Sequence, residues 1–353
     1  MAITIFSLRD SRTAAFPQAA LARSRPVLFF QPEERTSTWR AARKKQFRTG
    51  EIDMDKPVIG FIGVGLMGHG MAKNIVEKGY PLVVMGHRNR EPVEDLLKRG
   101  ASEAKTPKEM AEQCDIIHLC VSASPQVEEV IRGQDGILAS GKKGLTVIDC
   151  STSDPVSTLQ IAAELKAAGM DFADAPLSRT PKEAEAGTLD TMVGAAPDTF
   201  ARIEPVLKCW AGVIVHLGEV GLGHKMKLIN NFISMGYAAL YSEALAIARK
   251  SGLTIEQVHS VVGQGRMANG FYDTFMKWSV DRDENAHKFT IVNAHKDMRY
   301  LANMANSVGA VNSVQAVVKN AFAAMEASGQ GEKYVPMIAD FIAKQNGLPE
   351  DGS

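Results

Sequence analysis

The chain has 353 residues, 45% of them hydrophobic, with 40 basic side chains against 40 acidic ones. That length accommodates two separately cored domains, and a formal net charge of zero gives no general pull toward nucleic acid or an anionic membrane surface. No apolar run reaches transmembrane length, and Cys114, Cys120, Cys150 and Cys209 form no CxxC pair, so neither a zinc site nor a disulfide framework is indicated. The expectation is a soluble intracellular globular protein.

Residues 1–53 differ from the rest. They are rich in Arg, Ser, Thr and Ala and show no hydrophobic periodicity. A mitochondrial transit peptide has that richness but is poor in acids, whereas this stretch carries Asp10, Glu33, Glu34, Glu51 and Asp53. The preferred reading is a disordered extension upstream of a start at Met54, and a cytoplasmic protein; the transit-peptide alternative places it in the mitochondrial matrix.

From Lys56 short apolar runs alternate with amphipathic helices. "PVIGFIG" and "PLVVMG" read as strands flanking the helix "LMGHGMAKNIVEKG", and "DIIHLCV" and "GLTVIDCS" as further buried strands. "SDPVSTLQIAAELKAAG" is a helix with Asp154 as N-cap and Pro155 at its first position. "DFADAP", "DTMVGA" and "GVIVHLG" complete a mixed sheet, so residues 54–218 form a doubly wound α/β domain. Near Gly218 the alternation stops. "GLGHKMKLINNFISMGYAALYSEALAIARKSG" is one long helix, Thr254 to Gln257 form a capping box for the next, and only helical patterns follow. Residues 219–353 are therefore an all-helical second domain.

Gly63, Gly65 and Gly68 form GxGxxG between the first strand and first helix, a turn that lets backbone approach a pyrophosphate at a helix N-terminus. Val64, Leu66 and Met67 belong to the same turn. An acid specific for NAD is expected about 20 residues on, at the end of the second strand. That region instead reads "VVMGHRNRE", with His87, Arg88, Asn89 and Arg90 and no acid before Glu91. A guanidinium there suits a 2′-phosphate, so NADPH is favoured, with NAD as the alternative and a solvated basic turn as the plain one.

No Tyr-x-x-x-Lys pair and no metal-ligand spacing is present. The long helix instead carries Lys227, Asn230, Asn231 and Ser234 at i, i+3, i+4 and i+7, on one face. A lysine whose pKa is lowered can protonate a carbonyl oxygen as hydride arrives, and Asn231 one turn on can hold the substrate. Equally, the lysine could snorkel and the asparagines satisfy loop backbone.

With these motifs in view the sequence resembles the β-hydroxyacid dehydrogenases, including 3-hydroxyisobutyrate dehydrogenase. The likeness runs from Val58 to about Gly347 through "GFIGVGLMGHGMAKN", "DAPLSRTPKEAEAGTLDTMVG", "GLGHKMKLINN" and "FTIVNAHKDMRYLA". It implies a Rossmann-type dinucleotide-binding domain followed by an all-α domain organised on one long helix, like the C-terminal domain of 6-phosphogluconate dehydrogenase. It implies Lys227 as the catalytic lysine, Asn231 as the substrate-orienting asparagine and Ser178 as a contact to the substrate's acid group. Lys296 would lie near substrate and nicotinamide ribose, with Val121, Ser122 and Thr152 at cofactor-contacting strand ends. Phe271 would line the cleft or pack in the core, and His295 would simply pack. The resemblance also suggests a homodimer or homotetramer built through the helical half.

One departure stands out. Most relatives follow the serine with two glycines; here Arg179 and Thr180 stand there, and both are expected to contact the substrate. With "KLINN" and the later serine this resembles the sulfolactaldehyde reductase branch, where the positions matching Arg179, Asn230 and Ser234 surround the sulfonate. The forked cation suits any carboxylate, sulfonate or phosphate; alternatively Arg179 pairs with Glu183 or Glu185 and shapes a loop. The expected reaction interconverts a small acidic aldehyde and its 3-hydroxy acid. Sulfolactaldehyde or succinic semialdehyde reduction, imine reduction on the same fold, and a cofactor-binding scaffold without catalysis are the alternatives.

Overall fold

The computed structural model describes residues 56–86 and 89–349; the expectations for residues 1–53 and for His87 and Arg88 fall outside them. The first half is built on a nine-stranded sheet. Strands β1 (Ile59–Ile62), β2 (Leu82–Met85), β3 (Ser102–Glu103), β4 (Ile116–Leu119), β5 (Thr146–Asp149) and β6 (Asp171–Asp174) lie parallel in the order β3-β2-β1-β4-β5-β6. β7 (Leu177–Ser178) and β8 (Leu189–Gly194) follow, β8 running antiparallel to β6 and β7, and β9 (Ala211–Gly218) lies parallel to β8.

Successive strand residues serve opposite faces. Ile59, Phe61, Leu82, Val84, Ile116 and Ile148 pack into one core, while Val58, Ile62, Val83, Ile117, Leu119 and Val147 pack into another on the far side. Helices α1 (Gly68–Glu77), α2 (Glu91–Lys98), α3 (Pro107–Gln113), α4 (Ser124–Arg132), α5 (Pro155–Ala167), α6 (Pro181–Ala186) and α7 (Pro197–Leu207) connect the strands. The Asp154 cap is formed: its carboxylate accepts from Val156 N at 3.0 Å.

The second half is helical. α8 (Leu222–Lys250) spans 29 residues, about 44 Å at the usual rise per residue. α9 (Ile255–Val262), α10 (Gly270–Asp281), α11 (Ile291–Ser307), α12 (Ser313–Met325) and α13 (Ile338–Gln345) complete it, and the Thr254–Gln257 capping box opens α9. A third core gathers Leu228, Met235, Phe275, Met298, Phe322 and Ile338. No helix among the described residues is long and apolar enough to cross a membrane.

Candidate active site

The cofactor cradle starts at the end of β1. Gly63 has φ +98°, and a Cβ there would lie 2.2 Å from the Cys120 carbonyl oxygen beyond β4. A Cβ on Gly68 would lie 2.0 Å from Gly63 O, so the turn closes only with glycine at both positions. Gly65 has nothing within 4 Å of its missing side chain, and α1 begins without a side-chain cap. Open backbone and uncapped N–H groups at a helix start fit a pyrophosphate. Cys120 is packing beside this turn, its thiol pushed up to about 12 by burial.

At the end of β2, Arg90 forms a forked pair with Glu103 at 2.5 and 2.9 Å, and the Asn89 side chain accepts from Glu91 N at 3.1 Å. The acid missing from the sequence at this point is thus delivered by β3, which lies beside β2.

The chemical cluster hangs on α8. Its first turn is capped from a distance: Gly221 N and His224 N donate to the Asp174 carboxylate, at the end of β6, at 2.6 and 2.7 Å. The buried His224 ring adds contacts to Thr158 Oγ1 (2.8 Å) and Ser151 O (3.1 Å), fastening the helix start to the strand ends. Asn231 is buried and donates through Nδ2 to Asp297 Oδ2 of α11 at 2.7 Å. Lys296 Nζ lies 3.4 Å from Asp297 Oδ1 and donates to Ser122 O at 2.8 Å and Thr152 O at 3.5 Å. It therefore ties α11 to the ends of β4 and β5. Val121 spends its amide on Ser151 Oγ at 3.0 Å.

Burial lowers the Lys227 pKa and the neighbouring Lys296 charge lowers it further, while Asp297 opposes both. Burial raises the Asp297 carboxyl, against the two lysines and the Asn231 hydrogen bond. Asp297 is the polar group that reading the sequence did not single out. It stood in the "HKD" element, but nothing local marked it as fully buried opposite Asn231.

The polar stripe divides on closer view. Lys227 and Asn231 turn inward, Asn230 is exposed, and Ser234 returns its hydroxyl to Asn231 O at 3.1 Å. Phe271 packs against Phe275 and lies perpendicular to the His287 ring at 5.5 Å; His295 pairs with Glu326 at 2.6 Å, a packing role.

Ser178 ends β7, and Arg179 follows with φ +83°, a left-handed conformation that costs a non-glycine residue about 1–2 kcal/mol. Its Nε donates to Asp190 Oδ2 at 2.8 Å, so the partner is neither Glu183 nor Glu185. That contact leaves the terminal guanidinium nitrogens to meet another anion. Thr180, expected as a substrate contact, is the N-cap of α6 and forms a capping box with Glu183.

Residues 58–218 match the NAD binding domain of 6-phosphogluconate dehydrogenase, and residues 221–340 match the NAD-binding domain of NADP-dependent 3-hydroxyisobutyrate dehydrogenase. The chain belongs to the β-hydroxyacid dehydrogenase family. This dehydrogenase is 29% identical over 300 residues to 2-(hydroxymethyl)glutarate dehydrogenase of Eubacterium barkeri, covering 85% of this chain and 99% of that one. It is 29% identical over 290 residues to 3-sulfolactaldehyde reductase of Escherichia coli, covering 82% and 97%. Its fold matches the structure of Mycobacterium tuberculosis 3-hydroxyisobutyrate dehydrogenase with a TM-score of 0.73 at 23% identity, over 81% of this chain and 99% of that one. It is an NAD(P)-dependent oxidoreductase acting on a CH–OH group.

Proposed function

We propose that this dehydrogenase interconverts a short aldehyde bearing an acid group and its 3-hydroxy acid, with Lys227 as proton donor and acceptor. The observation that carries the reading is Lys227, its pKa lowered, one turn from the buried Asn231–Asp297 pair on a helix fastened to the strand ends. A nicotinamide dinucleotide held at the Gly63–Gly68 turn would supply the hydride for reduction or accept it in oxidation. In reduction, the Lys227 ammonium gives its proton to the carbonyl oxygen as the π electrons collapse onto it, and the resulting amine regains a proton from solvent. In oxidation the amine takes the hydroxyl proton. Asn231 spends Nδ2 on Asp297, which leaves Oδ1 to accept from the substrate hydroxyl. Ser178 and Arg179 hold the acid group.

NADP is the cofactor we favour, on the basic "HRNR" run at the end of β2. Arg90 would exchange the Glu103 carboxylate for a 2′-phosphate, which carries more charge. Exposed Met226, Ile229, Ile233, Tyr237 and Leu240 along α8 support self-association through the helical half, which analytical ultracentrifugation would test.

A second reading, reduction of sulfolactaldehyde or succinic semialdehyde, is favoured by Arg179, whose fork matches a sulfonate or carboxylate. Short aldehydes and hydroxy acids, each assayed with NADPH and NADH, separate the readings. Turnover confined to acidic substrates and lost in Lys227→Ala is expected. Equal turnover of neutral carbonyls, or an active Lys227→Ala enzyme, would overturn the proposal.

A further inference from the structure

Between α10 and α11 the chain crosses residues 282–290, a loop held at both ends. Arg282 Nη1 meets both Asp340 carboxylate oxygens at 2.8 and 2.9 Å, and Val335 N donates to Phe289 O at 2.9 Å. His287 lies between these anchors. Its ring is set at 86° to Phe271 and at 70° to Phe289, with centroids 5.5 and 6.3 Å away. Two aromatic neighbours limit the directions in which the imidazole can turn. Nε2 is buried and has no hydrogen-bond partner among the described residues.

A buried ring nitrogen is ordinarily partnered, because leaving it open forfeits its hydration without return. Burial, with the charge of Lys227 adding to it, pushes the imidazole down to about 4 and keeps it neutral near pH 7. A neutral imidazole donates one hydrogen bond without adding a further cation to the surroundings of Lys227.

We propose that His287 is a further substrate-contacting residue: its Nε2–H donates to the substrate oxygen that Lys227 protonates, as a second donor to the charge developing there. The inference rests on the acid/base role proposed for Lys227. The probe is 3-hydroxyisobutyrate and its aldehyde, beside 2,3-dihydroxypropane-1-sulfonate and its aldehyde, taking whichever pair the parent enzyme turns over faster. His287→Leu should lower kcat about a hundredfold with NADPH affinity unchanged, as expected for the loss of one aimed donor. His287→Gln, whose amide N–H can reach the same position, should stay within about tenfold of the parent. In the parent enzyme saturated with NADP, the nitrogen-15 signal of the His287 ring should move when the hydroxy acid is added.

Parent-like kcat in His287→Leu, equal losses in the Leu and Gln variants, or an unmoved ring signal would overturn the proposal. An active Lys227→Ala enzyme, or a parent that turns over neither pair, would instead overturn the reading beneath it.

Discussion

Two parts of the site treat charge in opposite ways. Between α8 and α11, Asn231 and Asp297 are buried, Asp297 fully enclosed, and Lys227 and Lys296 lie half-buried beside them. Arg179 sits on an outer turn with its side chain 48% exposed, paired with Asp190. Charges in the enclosed part interact through a medium of low effective dielectric, so Asp297 and Lys296 both act on the protonation of Lys227. An exposed pair such as Arg179–Asp190 is screened by water, contributes little to stability and can exchange partners. On the proposed roles, proton transfer would fall to the enclosed part and substrate choice to the exposed one.

The sharpest way to break this division is Lys227→Ala. Turnover should fall about 10²–10⁴-fold while NADPH titration by fluorescence stays unchanged; a fall in cofactor affinity of the same size would make the lysine a binding group. Next in size is Asp297→Asn. The Asp297 charge raises the Lys227 pKa against burial, so removing it lowers that pKa further. Reduction needs the ammonium form, so its rate declines as pH rises through the lysine pKa. In the variant that decline should begin at lower pH, and oxidation should become active at lower pH. An unmoved profile would uncouple the two groups.

At the exposed end, Arg179→Gly should raise KM for dianionic substrates about tenfold and leave neutral carbonyls unaffected. The glycine also suits the φ of +83°, so a thermal melt should show no large loss of stability. Equal losses on neutral carbonyls would remove the anion-holding role. The smallest effect belongs to Glu103→Gln. Freeing the Arg90 fork from an exposed ion pair should shift the ratio of NADPH to NADH affinity toward NADPH by no more than about fivefold. A shift toward NADH would give Glu103, rather than Arg90, the deciding contact.

Much of the architecture was legible because its signals are local. Alternation of strand residues between two cores, the Pro155 and Thr254 helix starts, and the break near Gly218 follow from repeats of two and 3.6 residues and from capping chemistry. The glycine turn was legible for the same reason, since Gly63 and Gly68 are needed by backbone within one strand–turn–helix unit. Less of the site could be seen. Glu183 and Glu185 are nearer to Arg179 in sequence, yet β7–β8 pairing sets Asp190 beside it. Thr180 follows the motif serine by two residues, and the structure adds a second use for it, as the cap of α6.

By itself the sequence determined a nucleotide-binding α/β half, a helical half on one long helix, and a lysine and asparagine one turn apart on that helix. Only the tertiary structure decided which charges face them. Asp297 meets Asn231 across 66 residues, Asp174 caps α8 from 47 and 50 residues away, and Glu103 reaches Arg90 from the neighbouring strand. Periodicity reports which face of an element is apolar, but a carboxylate buried against a distant amide leaves no repeat in its own segment. Its burial and its partner come from how the elements pack.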